Sequence, residues 1–280
     1  MIIIDMNQIC LASVMMSKQM SKSDEVDDKM IRHMILNSIR LYRNMFHEEY
    51  GEVVLTYDSK HYWRRDYFEQ YKHNRKKGRE KDSNDWNAIF ECLNAIKAEF
   101  KENLPYKFVE VYGAEADDII ATLVENFQEE KIMIISGDKD FIQLQTYSNV
   151  KQYSPILKKY VDGEDPKTYI KQHILKGDSS DGVPNVLSPD HTFVEGLRQR
   201  PLTKKKLEAW VDMNIDDFEE ETRRNYIRNQ KLIDLKMIPE NLAKDIMVDF
   251  SEAPCGDRSK LYTYFTTKRL RELTENIGEF

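Results

Sequence analysis

Four short apolar runs that each close on a carboxylate constrain this chain more than any other feature. They are IIID (2–5), VVLTYD (53–58), FVEVYGAE (108–115) and IMIISGD (132–138). All four are rich in Val and Ile and largely lack alternation, the pattern of parallel strands covered on both faces. Helical spacings separate them, over about residues 27–46, 84–100 and 115–127. Strands alternating with helices predict an α/β fold, a central mainly parallel sheet flanked by helices with right-handed crossovers. The acids Asp5, Asp58, Glu115 and Asp138 then fall at or just past the strands' carboxyl ends. That is the edge where open parallel sheets bind their ligands.

Beyond about Asp165 the strand-like runs stop. PKTYIKQHILKGD, LTKKKLEAWVD, DDFEEETRRNYIRNQKLIDL and PENLAKDIMVDF read as helices, with Pro201 and Pro239 near helix starts. The expected organisation is an α/β domain over residues 1–180 and a smaller helical region over 181–280. Three scattered cysteines without a CxxC pair argue against a zinc site or disulfide framework and fit a reducing cytoplasm. The opening MIIID turns polar too soon for a signal peptide, and no apolar run approaches the roughly 20 residues that cross a bilayer. The expected location is cytoplasmic, with no membrane partner.

The net charge of −7 would ordinarily discourage a nucleic-acid partner, but the charge is segregated. Lys60 to Lys81 holds nine Lys/Arg against three Asp/Glu, and Arg198 to Lys206 holds five bases and no acid. The acids collect in loops: Asp5, Asp58, Glu115-Ala-Asp117-Asp118, Asp138-Lys-Asp140 and Asp178-Ser-Ser-Asp181. Without those nine, −7 becomes +2, so they account for the whole acidic excess. Singly, such residues are ordinary helix or strand caps. Together in one cleft they would repel one another and take up protons unless cations compensated. With no histidine or cysteine in these motifs, an all-oxygen set suits Mg²⁺ or Mn²⁺ rather than zinc or copper. Two such ions can clamp a phosphodiester in line for hydrolysis.

The order IIIDMNQ, the Asp58 strand, YKHNR, EADD, SGDKDF and KGDSSDGVPN resembles the 5′-nuclease superfamily of flap endonucleases, polymerase I 5′-nuclease domains and phage 5′-exonucleases. VKQYSPILKKYV, YWRRDYFEQYKHNR and the ending LTENIGEF place the match nearest the T-even phage ribonuclease H branch. The resemblance covers nearly the whole chain. It implies that Asp5, Asp58, Glu115, Asp117 and Asp138 form most of a first Mg²⁺ site, with Asp118 a further candidate. Asp140, Asp178 and Asp181 match a second site. It also implies a 5′→3′ nuclease acting on 5′ ends, flaps, forks and RNA–DNA hybrids, as in primer removal during phage-type replication. A monomer is implied, with a single-stranded-DNA-binding protein and a sliding clamp as possible partners, although no convincing clamp peptide is legible.

The segment YWRRDYFEQYKHNRKKGRE, an arch over about residues 60–82, interleaves cations and aromatics. On a continuous helix Lys72, Arg75 and Arg79 share one face and Trp63, Tyr67 and Tyr71 another. Arg64 and Arg79 are expected on DNA. The resemblance matches Lys72 and Arg75 to a lysine and an arginine that hold the scissile phosphate and stabilise transition-state charge. A segment at +6 should repel itself and order around DNA. Family members usually continue with a glycine-rich hairpin of the type GVxGIGxKTA, whose backbone amides grip duplex phosphates. Here DGVPNVLSPDHTFVEGLRQRPLTKKKLEAW stands instead, and Arg198, Arg200, Lys204, Lys205 and Lys206 are the candidate replacements. Two rival readings compete. A haloacid-dehalogenase-type phosphatase needs a DxD at the first strand, and position 7 is Asn7. A non-catalytic DNA fork or junction binding protein would have no need to keep all nine acids.

Overall fold

A computed structural model describes residues 1–22, 25–163 and 165–280. In chain order its elements are β1 (Ile2–Asp5), α1 (Met6–Ser21), α2 (Asp28–Tyr50), β2 (Val53–Thr56), α3 (Trp63–Tyr67), α4 (His73–Glu80), α5 (Trp86–Asn103), β3 (Lys107–Val109), α6 (Ala116–Asn126), β4 (Ile132–Ile135), β5 (Val150–Ser154) and β6 (Lys159–Tyr160). Six helices follow: α7 (Pro166–Lys176), α8 (Lys204–Val211), α9 (Glu220–Ile233), α10 (Glu240–Glu252), α11 (Leu261–Thr267) and α12 (Arg271–Glu275). The sheet order is β3-β2-β1-β4-β5-β6, parallel except for the β5–β6 pair.

The strands form because their side chains are apolar on both faces. Ile2 and Ile4 of β1 enter one core and Ile3 the other, and Met133 and Ile135 of β4 alternate with Ile132 and Ile134 in the same way. The helices start at polar residues whose side chains accept from first-turn amides: Asp5 from Gln8 N, Asp27 from Lys29 N and Met30 N, and Asp85 from Ala88 N. Each fully buried Ile or Leu contributes about 1.5–3 kcal/mol relative to exposure.

Three expectations need correction. The third strand stops at Val109, and Glu115 lies after a turn, at the start of α6 rather than at a strand end. Two more strands extend the sheet beyond β4. VKQYS escapes an apolar reading because its buried positions include Gln152 and Ser154. The basic arch is not one helix. It breaks into α3 and α4 at Lys72, whose backbone takes the left-handed φ of 57° while its N–H donates to Asp181 O at 2.7 Å. The helical part after residue 181 packs into both cores of the α/β part: Leu261, Tyr264, Phe265, Leu273 and Phe280 complete the core on the α2 face, and Leu242 and Ile246 complete the one under α6. The sequence break near residue 180 is therefore not a break in packing.

In place of a glycine-rich hairpin, side chains fix the stretch after residue 182. Asn185 N–H donates to Gln199 Oε1 at 2.6 Å, and Asn185 Nδ2 donates to Arg200 O at 2.8 Å. Arg228 of α9, 5% exposed, meets Asp190 Oδ1 at 2.5 Å and donates to Pro184 O at 2.8 Å. Asp190 is partly exposed and keeps Arg224, so removing Arg228 mainly leaves the buried carbonyls it served without a donor, and Arg228→Leu is expected to destabilise the fold by about 2 kcal/mol. Urea unfolding checks this, and a loss below about 1 kcal/mol would contradict the brace.

Candidate active site

The acids are carried to one edge of the sheet by local contacts that the strands and helix starts dictate. Asp5 ends β1, caps α1 and accepts from Ser136 Oγ at 3.0 Å. The Ser136 hydroxyl also accepts the Asp138 N–H at 3.1 Å, while Gln8 Oε1 accepts the Gly137 N–H at 2.7 Å. Gln152 of β5 donates to both Ser136 O and Asp138 O. Asp58, just past β2, reaches the open end of α6 and accepts from Ala116 N at 2.7 Å. Asp138 caps the 3₁₀ segment Lys139–Thr146 by accepting from Asp140 N. The last acidic loop turns at Gly177, with φ of 67°, where an added Cβ would lie 2.4 Å from Val183 O. There Asp178 accepts from Ser180 N and Oγ and from Asp181 N.

Burial first, and mutual repulsion after it, raise the pKa of five of these acids. Burial, then Asp58 and, more weakly, Asp138, push Asp5 up to about 7. Asp117 lies well above the carboxylate range through burial, Asp138, Glu115 and Asp5, against the pull of Lys72. Burial and Glu115 raise Asp58, and burial, Asp138 and Asp178 raise Asp140. Asp181 is also raised, by burial, Asp178 and Glu115, against Lys72 and Arg75. Five carboxylates, Asp5, Asp58, Asp117, Asp140 and Asp181, thus sense neighbouring acids, among them Glu115, Asp138 and Asp178.

Two cations from the broken arch enter this cluster. Lys72, 7% exposed, pairs with Glu115 and lies 3.5 Å from Asp181. Burial opposes its charge, but Glu115 and Asp181 outweigh burial and raise its pKa, so it stays protonated. Glu115, also buried, is held below its ordinary value by Lys72 and Arg64. Arg75 meets Asp181 at 2.5 Å with about half of its side chain exposed.

Three sequence expectations fail here. Asp118 is fully buried and spent on Arg64 Nη2 at 2.8 Å, the Glu115 N–H at 2.9 Å and Trp63 Nε1 at 3.3 Å. It closes a capping box rather than offering a metal ligand. Arg64, expected on DNA, is 2% exposed and grips Glu115, Asp118 and Leu232 O. The shared aromatic stripe is absent as well, because the helix that would align it is broken: Tyr67 is exposed while Tyr71 is buried. Arg79 Nε donates to Arg75 O at 3.2 Å, and its guanidinium lies over the Phe90 ring at 5.3 Å. Arg198, Arg200, Lys204, Lys205 and Lys206 are exposed, and Lys206 lies 4.2 Å over the Trp210 ring.

Several site residues were not legible beforehand. The Tyr71 hydroxyl lies 3.1 Å from Glu115 and 3.0 Å from Asp181, so its single proton serves both acid groups. A histidine does accompany the acids: His173 Nδ1 is 3.2 Å from Asp140 Oδ1, close but without hydrogen-bond alignment. Its place on α7, five residues before Asp178, was the available signal. Among the described residues no three Asp, Glu, His or Cys side chains close into a ready-made shell for one ion. The donor set nevertheless fits hard divalent cations: oxygen ligands, five of them raised in pKa, on one sheet edge.

The comparisons with known proteins agree with this architecture. Residues 1–174 match the 5′-3′ exonuclease N-terminal resolvase-like domain family, and residues 165–280 match the T4 RNase H C-terminal family. The ribonuclease H of Enterobacteria phage T4 is 36% identical over 99% of this chain and 95% of its own length. A phage T5 protein solved with metal ions has the same fold, with a TM-score of 0.63 at 15% identity, covering 90% of this chain and 98% of that one. The T5 flap endonuclease has also been solved as a pseudo-enzyme-product complex with DNA and metal ions, at a TM-score of 0.62 and 16% identity, covering 90% of this chain and 99% of that one. The chain belongs to the 5′-3′ exonuclease family, with a C-terminal part of the T4 ribonuclease H type. It is a hydrolytic 5′→3′ nuclease.

Proposed function

We propose that the enzyme uses two Mg²⁺ ions, replaceable by Mn²⁺, to hydrolyse phosphodiesters at 5′ ends, flaps and RNA–DNA hybrids, leaving 5′-phosphates. The observation that carries this is the set of mutually destabilised carboxylates on one sheet edge, with a charged lysine buried among them. Asp5, Asp58, Glu115, Asp117 and Asp138 would hold one ion and Asp140, Asp178 and Asp181 the other. The ions, when bound, polarise the phosphodiester and offset the negative charge that builds on it. Lys72 and Arg75 would bind the scissile phosphate by exchanging carboxylate partners for phosphate oxygens. Tyr71 and Arg64 hold Glu115 in place from the opposite side. Arg79, Arg198, Arg200 and Lys204–Lys206 would contact the phosphates of the flanking nucleic acid, and those contacts should weaken with salt. Binding to a single-stranded-DNA-binding protein or a sliding clamp, and a monomeric state, are proposals from the family alone.

A duplex with a 5′ flap, labelled at its 3′ end, tests this. Cleavage near the junction in Mg²⁺ and none in EDTA is the expected result. Tight binding without cleavage in any divalent metal would instead favour a fork-binding protein.

A further inference from the structure

The loops that carry Asp58 and Glu115 inward also carry two rings outward. Tyr62 bridges Gly113, Trp63 N–H donates to Gly113 O at 2.9 Å, and Ser59 N–H donates to Ala114 O at 2.9 Å, so the two loops are zipped together. On this zipper His61 and Tyr112 stack, with centroids 5.2 Å apart and planes at 19°. His61 is fixed in turn by Asp66 Oδ2, 2.8 Å from Nε2. Tyr112 is 79% exposed, so the pair buries little and leaves a ring face to solvent. Arg65 lies 5.0 Å over the Tyr62 ring, and the Lys72 ammonium lies 5.5 Å from that same ring. Tyr62, next in the chain to His61, thus lies between the buried lysine of the site and the exposed cation Arg65.

We propose that the His61–Tyr112 pair is a stacking platform for an unpaired base of the strand being cut, adjacent to the scissile phosphate. Core packing does not need a tyrosine this exposed, yet the ring is held flat by a neighbour that is itself held. An ordered aromatic face next to cations is what single-stranded nucleic acid recognition uses, and it tolerates any base because every base has a π face. The inference rests on the nuclease reading above and adds the site of the base to it.

The test uses a 5′-flap duplex carrying 2-aminopurine at successive unpaired positions, with binding followed by fluorescence in EDTA and cleavage in Mg²⁺. Wild-type protein should change the emission at one of those positions. Tyr112→Ala and Tyr112→Leu should abolish that change and raise KM about tenfold, since removing a stacking aromatic weakens binding by roughly 1–3 kcal/mol per base. The loss should fall in KM rather than kcat, and Tyr112→Trp should restore both signals. Leu keeps an apolar contact with His61 without a π face, so a purely structural role would spare it. Normal cleavage with KM and emission unchanged in both variants overturns the platform and leaves the nuclease reading standing. A wild-type protein that cuts no flap would overturn both.

Discussion

Lys72→Ala should reduce cleavage at saturating Mg²⁺ and substrate by about 10²–10³-fold, the usual cost of removing one preorganised charge from a transition state. The structure gives the reason. The ammonium is buried among carboxylates, and Glu115 and Asp181 keep it charged against the cost of burial. Its backbone is pinned in a left-handed conformation by the Asp181 carbonyl, so its position is fixed before substrate arrives. Single-turnover kinetics should place the loss in kcat. A loss confined to KM would reduce Lys72 to an ordinary phosphate contact. Arg75→Ala should cost less, because that side chain is half exposed and pairs with Asp181 alone.

Asp5→Asn should abolish metal-dependent cleavage and yet stabilise the metal-free protein at pH 8. Burial and then the neighbouring Asp58 push the folded carboxyl up to about 7, well above the ordinary aspartate range, so the native state holds this proton more tightly than the unfolded chain. The stability that Asp5 contributes is therefore complete below pH 4 and lost as the pH rises through about 7. Ionising it costs up to about 4 kcal/mol by the usual conversion of pKa shift to free energy. Asn stays neutral and still caps α1. Urea unfolding in EDTA should show the variant more stable at pH 8 and the difference closing towards pH 4. Added Mg²⁺ should stabilise the wild type and leave the variant nearly unmoved. A variant less stable than wild type at pH 8 would mean that Asp5 is a structural acid.

The pattern of residues made the strands legible wherever an apolar run met an acid, because burial on both faces and a carboxyl-end loop leave separate marks. It did not reveal what distant backbone decides. The break at Lys72 depends on a carbonyl from the last acidic loop, and local spacing favoured an unbroken helix instead. Arg64 and Asp118 read as surface cation and metal ligand until their partners were brought together by α3, α6 and α9. β5 was missed because Gln152 is buried for its hydrogen bonds rather than its apolarity. Phe280 lies deep in the core with nothing in its neighbourhood to mark it as internal.

A divalent-metal centre for hydrolysis is what the convergent acids would form. Its most direct test is the Mg²⁺ dependence of flap cleavage by wild-type protein and Asp138→Asn. Asp138 is exposed, sits just past β4, and bears electrostatically on Asp5, Asp117 and Asp140. Cleavage by the wild type should saturate with Mg²⁺, and the variant should be at least about 10²-fold slower at every Mg²⁺ concentration. Normal cleavage by Asp138→Asn in Mg²⁺ would contradict it.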